Sequence, residues 1–219
     1  MKIIEQSWVW LQKPENPLIT IENAGRTCYK SEDKVCDGSA KKFTNMIVRS
    51  GHETVIEHVS ASLRIITNRG VTHELVRHRL ASFSQESTRY VKYDGTMEFI
   101  KPVWCSDDVL GVFNEVYDFD KVEDETENLF CASLYSSESD YQQLLERGWR
   151  PEQAREVLPN SLKTEIVMTC NLREWRHIFN MRCQKAAHPQ IRSLFKDILK
   201  GFHTAVPVVF DDLYEKFIL

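Results

Sequence analysis

The stretch VSASLRIIT, residues 59–67, alternates in character, with Val59, Ala61, Leu63 and Ile65 on one face. Side chains in a strand point to opposite faces with a period of two, so this is a strand buried on one side. LKTEIVMTC, residues 162–170, alternates in the same way. A one-sided strand must cover its apolar face, and the segments between and around the two carry the helical period that can do so. SAKKFTNMIVRSG (39–51) predicts a helix with Ser39 capping and Gly51 just past its end. NRG turns the chain, and VTHELVRHR (71–79) predicts a short helix. Residues 90–104 are expected to be extended, with a turn at Asp94-Gly95.

From Asp124 to Arg147 a long amphipathic helix is expected, ending at Gly148, with the apolar positions Leu129, Phe130, Ala132, Leu134, Tyr141, Leu144 and Leu145 recurring at helical spacing. PEQAREVLP (151–159) predicts a helix with Pro151 in its first turn. NLREWRHIFNMRC (171–183) opens on Asn171 and Glu174, a pair resembling a capping box, and buries Leu172, Trp175, Ile178 and Phe179. A last helix is predicted over 188–203. Helices interleaved with a few half-buried strands predict an α+β fold, a small antiparallel sheet packed against several helices. With no internal repeat and no low-complexity linker, 219 residues read as a single domain.

Composition excludes several classes. Apolar content is 42% and charged content 27%, the profile of an ordinary globular protein. No apolar run approaches the roughly 20 residues that span a bilayer, and the N-terminal stretch lacks a signal peptide's apolar core, so a cytoplasmic protein is expected. A net charge of −4 argues against nucleic acid as a partner and points local basic clusters toward small anions. The six cysteines are scattered, with no C-x-x-C pair, and read as free, largely buried thiols rather than a zinc site. The eight glycines form neither a G-x-G-x-x-G nor a P-loop, so a phosphate site would have to use side-chain cations.

RHRLASFSQESTRY (77–90) concentrates such cations: Arg77, His78, Arg79 and Arg89, with Ser82, Ser84, Ser87 and Thr88. Arginine's planar fork meets phosphate oxygens bidentately. On a helix Arg77 and Arg79 diverge by about 200°, so they serve different ligands, or the same groups in different subunits. A charged helix end, with Glu74 pairing to Arg77 or His78, explains the first part equally well. SFSQESTRY shows no strand alternation and reads as a polar loop able to cradle an anion. A serine hydrolase is disfavoured, since there is no G-x-S-x-G and no triad aspartate. In GHETVIEH (51–58), His52 and His58 are six apart, which misses the H-E-x-x-H register of a zinc site. Arg173, Arg176, His177 and Arg182 on the helix 171–183 read as a solvated face or as a second surface for a polyanion. A binding module for nucleotide or RNA and a metal-dependent hydrolase remain the competing classes on these residues.

The set of segments resembles the flavin-dependent thymidylate synthases. Their signature, R-H-R, seven residues, then Ser, matches Arg77-His78-Arg79 and Ser87. GRTCYKS (25–31), HETVIEH (52–58), AREVLP (154–159) and NLREWRHIFNMR (171–182) are similar to family blocks and fall in order along most of the chain. The resemblance implies methylation of dUMP to dTMP, with 5,10-methylenetetrahydrofolate as carbon donor and NADPH reducing a bound FAD. It implies a homotetramer whose active sites form at subunit contacts, while the residues themselves, with the H-E-x-x-H register missed, give no metal site. By position it implies FAD contacts from His52, Thr54, Arg77, His78, Arg79, Gln85, Asn171, Arg173 and His177. It likewise implies dUMP contacts from Glu74, Arg77, Gln85, Ser87, Arg89, Arg155 and Arg182. Catalytic roles fall to Arg182 on the uracil ring, to Ser87 in a positioning sense, and to His52 where folate or NADPH approaches. Two positions depart from the family: Glu74, where Gln is common, and His177, where Asn is common. Residues 105–147 match no family motif and read as scaffold or a peripheral insertion.

Overall fold

The computed structural model describes residues 1–219, except for the side chains of Val116, Tyr117 and Asp120. In chain order its elements are strands β1 (Lys2–Ile4) and β2 (Ser7–Gln12), then helices α1 (Pro17–Tyr29) and α2 (Ser39–Arg49). Strand β3 (Ser60–Asn68), helix α3 (Arg69–Leu75) and strands β4 (Ser82–Gln85), β5 (Glu98–Ile100) and β6 (Gly111–Val112) follow. Helices α4 (Glu125–Glu146) and α5 (Pro151–Ala154), strand β7 (Lys163–Asn171) and helices α6 (Leu172–Arg182), α7 (Pro189–Ala205) and α8 (Pro207–Phe217) complete the chain. A four-stranded sheet has the order β2-β3-β7-β4 and a three-stranded one the order β5-β1-β6. In the smaller sheet β1 runs antiparallel to β6 but parallel to β5, with Ile3 opposite Phe99. The α+β class and the two long alternating strands are as the sequence predicts. Among the described residues no helix is long and apolar enough to cross a membrane.

The chain forms two compact units. The first comprises Met1–Ser7, Ile65–Arg77 and Ser84–Ile166; the second comprises Trp8–Arg64, His78–Phe83 and Val167–Leu219. The core of the first gathers Ile3, Phe99, Phe113, Phe119, Leu134 and Tyr141. Residues 105–147 are therefore scaffold in this unit, supplying much of its core. The second unit is built on aromatics: Trp175, Phe179, Phe202 and Phe210 sit with ring centroids 4.7–5.9 Å apart. Helix α7 approaches β2 closely at Gly201, where a Cβ would lie 2.3 Å from the Trp8 ring. Trp8 Nε1 donates to Asp197 Oδ2 at 2.9 Å in the same contact.

Several sequence expectations need correction. Ser39 is the first residue of α2, after Gly38, and its hydroxyl donates to Glu22 instead of capping. The helix expected over 71–79 spans Arg69–Leu75, because Asn68 caps it by accepting from Val71 N at 2.8 Å. Arg77, His78 and Arg79 therefore lie beyond a helix, and the helical divergence of the two arginines does not apply. SFSQ is strand β4, half-buried at alternate residues, although it carries a single large apolar side chain. PEQAREVLP is helical only to Ala154 and tightens to a 3₁₀ turn over Arg155–Val157. On α4, Leu129 is exposed. Cys28 and Cys36 are exposed and Cys105 half-buried, so only three of the six thiols are buried.

Candidate active site

The first unit holds the serine segment on a fixed base. Beyond β4, the Glu86 backbone N–H donates to Glu165 O at 2.9 Å. The Glu86 carboxylate accepts from Tyr93 Oη at 2.6 Å and faces Lys163 Nζ at 3.7 Å. Burial, then the Glu86 hydrogen bond, pushes the Tyr93 phenol far above its ordinary range, so it stays a donor. The Gln85 amide donates to both Thr72 Oγ1 and Thr164 Oγ1, at 2.9 and 3.3 Å. Ser87 Oγ accepts from Arg89 N at 3.3 Å inside the turn that follows. Among the described residues the hydroxyl meets no imidazole or carboxylate that would take its proton.

Beside this segment lies a cavity of about 260 Å³, lined by Arg69, His73, Thr88, Arg155 and Asn160 among others. Arg155 Nη1 donates to the buried Thr88 hydroxyl at 3.3 Å. Nη1 of Arg69 is buried and has no hydrogen-bond partner among the described residues. A buried donor on a cation is costly to leave unmade. Sequence reasoning found Arg155 and counted Thr88 among the hydroxyls of the anion-binding stretch, but missed Arg69 and His73, because Arg69 lay in a stretch read as a turn. Glu74 on α3 is half-buried, Arg89 is exposed with its Nε 3.8 Å from Glu152, and Arg77 is exposed.

In the second unit α6 organises the candidates. Asn171 caps it, its side-chain oxygen accepting from Glu174 N at 2.9 Å. Arg173 is exposed and paired with Glu57 at 2.5 Å. Arg176, expected on a solvated or ligand-facing surface, is buried: it meets Glu53 at 2.8 Å and forks onto Asp212 at 2.7 Å, and it also donates to Val209 O. Burial opposes its charge, and the Asp212 and Glu53 contacts override that, so it stays a cation that ties α8 to the 52–58 segment. Both carboxylates of HETVIEH are thus engaged by arginines.

His78, 7% exposed, is held by α6: Arg182 Nε donates to its Nε2 at 3.0 Å, and its Nδ1 lies 3.6 Å from Glu174 Oε1. Burial, with Arg182 and His177 nearby, lowers its pKa to about 4. His78, Glu174 and His177 bring their donor atoms within 4.8 Å of one another, a spacing open to a metal ion, but the adjoining Arg182 charge opposes a cation there.

His52 precedes the 3₁₀ segment Glu53–His58, with Thr54 exposed within it. His52 lines a second cavity of about 660 Å³, together with Tyr29, Phe43 and Met46 as apolar wall and Arg26, Lys34 and Lys42 as cations. Arg26, Tyr29 and Ser31 come from GRTCYKS, which gives that block a place in the wall of this cavity. Gly25 lets α1 approach α2, since a Cβ there would lie 2.5 Å from the Phe43 ring. The wall also carries the Asp37 carboxylate, and Arg26 is already paired with Glu22 at 2.9 Å, so Lys34 and Lys42 are the cations this cavity offers an aromatic ligand. Arg79 is exposed, and neither it nor Arg77 has an ion pair among the described residues. The candidates therefore divide by unit: His52, Thr54, His78, Arg79, Asn171, Arg173, His177 and Arg182 in the second, and Glu74, Arg77, Gln85, Ser87, Arg89 and Arg155 in the first.

The chain is similar to known proteins along nearly its whole length. The family model described as thymidylate synthase complementing protein matches residues 10–208. A flavin-dependent thymidylate synthase of Mycolicibacterium vanbaalenii is 36% identical over 208 residues, covering 93% of this chain and 82% of the relative. One of Geobacter sulfurreducens is 31% identical over 209 residues, covering 92% of this chain and 84% of the relative. In fold the chain is similar to a UMP/dUMP methylase, PolB, from Streptomyces cacaoi, with a TM-score of 0.78 at 23% identity, covering 99% of this chain and 98% of the other.

Proposed function

The chain belongs to the family of flavin-dependent thymidylate synthases, and from that premise we propose how its own residues divide the work of methylating dUMP to dTMP. The enzyme is a methyltransferase acting on a small-molecule substrate. Bound FAD, reduced by NADPH, supplies the hydride that completes the methyl group, and 5,10-methylenetetrahydrofolate supplies the carbon. The residues fit such a cofactor: neither Arg77 nor Arg79 has an ion-pair partner among the described residues, which leaves both cations open to a diphosphate, and the cavity at His52 offers aromatic and cationic walls together.

The nucleotide end of the reading rests on one observation: Arg69, whose buried Nη1 has no hydrogen-bond partner among the described residues, lines a cavity with Arg155 and Thr88. These groups bind the dUMP phosphate. Ser87, Arg89, Gln85 and Glu74 position the sugar and base, with the Ser87 hydroxyl as a hydrogen-bonding group and not a nucleophile. Arg182 faces the uracil ring and stabilises negative charge developing on its carbonyl. Thr54, Asn171, Arg173, His177 and the R-H-R residues hold FAD, and His52 stands where folate or NADPH approaches. No cysteine takes part, consistent with burial raising Cys183 to about 12 and pushing Cys170 higher still. Residues 1–219 act as one synthase domain in a cytoplasmic homotetramer, with neighbouring subunits completing each site.

Purified protein is expected to carry the visible absorbance of flavin and to bind dUMP with loss of affinity in Arg155→Ala. A colourless protein with no affinity for added FAD would overturn this reading, and light scattering tests the tetramer separately.

A further inference from the structure

Arg182 has one long side chain and many rotamers, yet its assigned role needs the guanidinium aimed at one carbonyl. The structure contains a device for that. Its Nε–H donates to His78 Nε2 at 3.0 Å. A nitrogen that accepts carries no proton, so a neutral His78 bears its proton on Nδ1. Nδ1 faces Glu174 Oε1 at 3.6 Å, longer than a direct hydrogen bond but close enough for a buried carboxylate to act on the N–H dipole. Glu174 is itself fixed, in the first turn of α6, with its backbone N–H held by Asn171. The opposite tautomer would set Nε2–H against the Arg182 Nε–H, two donors face to face. Three groups with charge or a titrating proton lie around the imidazole: Arg182, Glu174 and His177, whose ring stands edge-on at 6.0 Å.

We propose that Glu174 is a positioning residue for the reaction: it holds His78 in the Nδ1–H tautomer, so that Nε2 accepts from Arg182 and sets the plane in which the guanidinium meets the pyrimidine. The depressed pKa of His78 keeps the ring neutral across the physiological range, which this device requires. The proposal rests on the reading that Arg182 faces the uracil ring.

A double-mutant cycle tests it. Glu174→Met removes the acceptor at similar volume and is expected to lower kcat for dTMP formation about 10- to 100-fold, the cost of a slightly misplaced group, with FAD content unchanged. Glu174→Gln, which keeps an acceptor oxygen, should retain most of the turnover. In an Arg182→Ala background Glu174→Met should cost nothing further. An equal loss in both backgrounds, or no loss in the wild type, would overturn the proposal. If Arg182→Ala alone keeps full turnover, the assignment of Arg182 fails first and the proposal with it. Should Glu174→Met not fold, nitrogen NMR of histidine-labelled wild-type holoenzyme, with the His78 signal assigned through His78→Gln, decides. A bare Nε2 supports the device, and a protonated Nε2 refutes it.

Discussion

Replacing Arg69 with methionine should weaken dUMP binding without weakening the fold. Arg69 lines the 260 Å³ cavity, and its Nη1 is buried with no hydrogen-bond partner among the described residues, while the backbone N–H of the same residue is held by Leu162 O at 3.2 Å. The substitution leaves that backbone contact in place. It removes a stranded buried donor, which costs about 1–3 kcal/mol in the ligand-free protein, so the melting temperature should stay level or rise. It also removes a charge-assisted hydrogen bond to phosphate, about 1.5–3 kcal/mol, which corresponds to a rise in Kd of about 10- to 150-fold. Calorimetric titration with dUMP and with deoxyuridine, which lacks the phosphate, separates the terms: the loss should appear for the nucleotide and vanish for the nucleoside. Unchanged dUMP affinity, or equal losses for both ligands, would refute the reasoning that this cavity takes the phosphate.

Other substitutions probe the supports. Asp212→Asn should destabilise the protein by about 2 kcal/mol in urea unfolding, since it takes a carboxylate from the buried Arg176 while leaving Glu53. The bond to Arg176 outweighs burial and holds the Asp212 carboxyl below its ordinary pKa, so its contribution is present above the unfolded value and lost as pH falls through the folded one. The difference between variant and wild type should therefore shrink below about pH 4 and persist at neutrality. His78 has the opposite dependence. Its pKa drops from 6.5 to about 4 on folding, so the unfolded chain binds the extra proton and stability declines as pH falls through that window. His78→Gln should flatten that decline, as read by unfolding at a series of pH values. Ser87→Ala should keep part of the turnover with dUMP affinity modestly reduced, and complete loss with dUMP still bound would argue for a covalent role.

The sequence was most legible where one periodicity ran long enough to speak. The two nine-residue strands, the long α4 and the buried face of α6 were all visible in spacing alone. Short strands were not. β1 and β6 hold three and two residues, and their stability comes from partners about a hundred residues away. β4 escaped because serines alternate there with one phenylalanine, a pattern without hydrophobic contrast. α1 and α8 begin at prolines that supply N-terminal positions, a signal left unused at residues 17 and 207. Among functional groups, residue type identified the arginines but not their duties. Arg173, Arg176 and Arg182 share eleven residues of one helix. One is exposed and paired, one is buried as a clamp, and one donates to a histidine. Those assignments depend on Glu57, Asp212 and His78, which spacing along α6 does not reveal. Arg69 was hidden for the same reason, since its missing partner is a property of the folded neighbourhood.

The central claim, flavin-dependent methylation of dUMP, is tested most directly by a single anaerobic turnover. NADPH-reduced holoenzyme is mixed with dUMP and 5,10-methylenetetrahydrofolate, while flavin absorbance and dTMP are followed together. The account predicts that flavin reoxidises only when dUMP is present, and that one dTMP appears for each flavin oxidised. Reoxidation indifferent to dUMP, or oxidised flavin without dTMP, would contradict it.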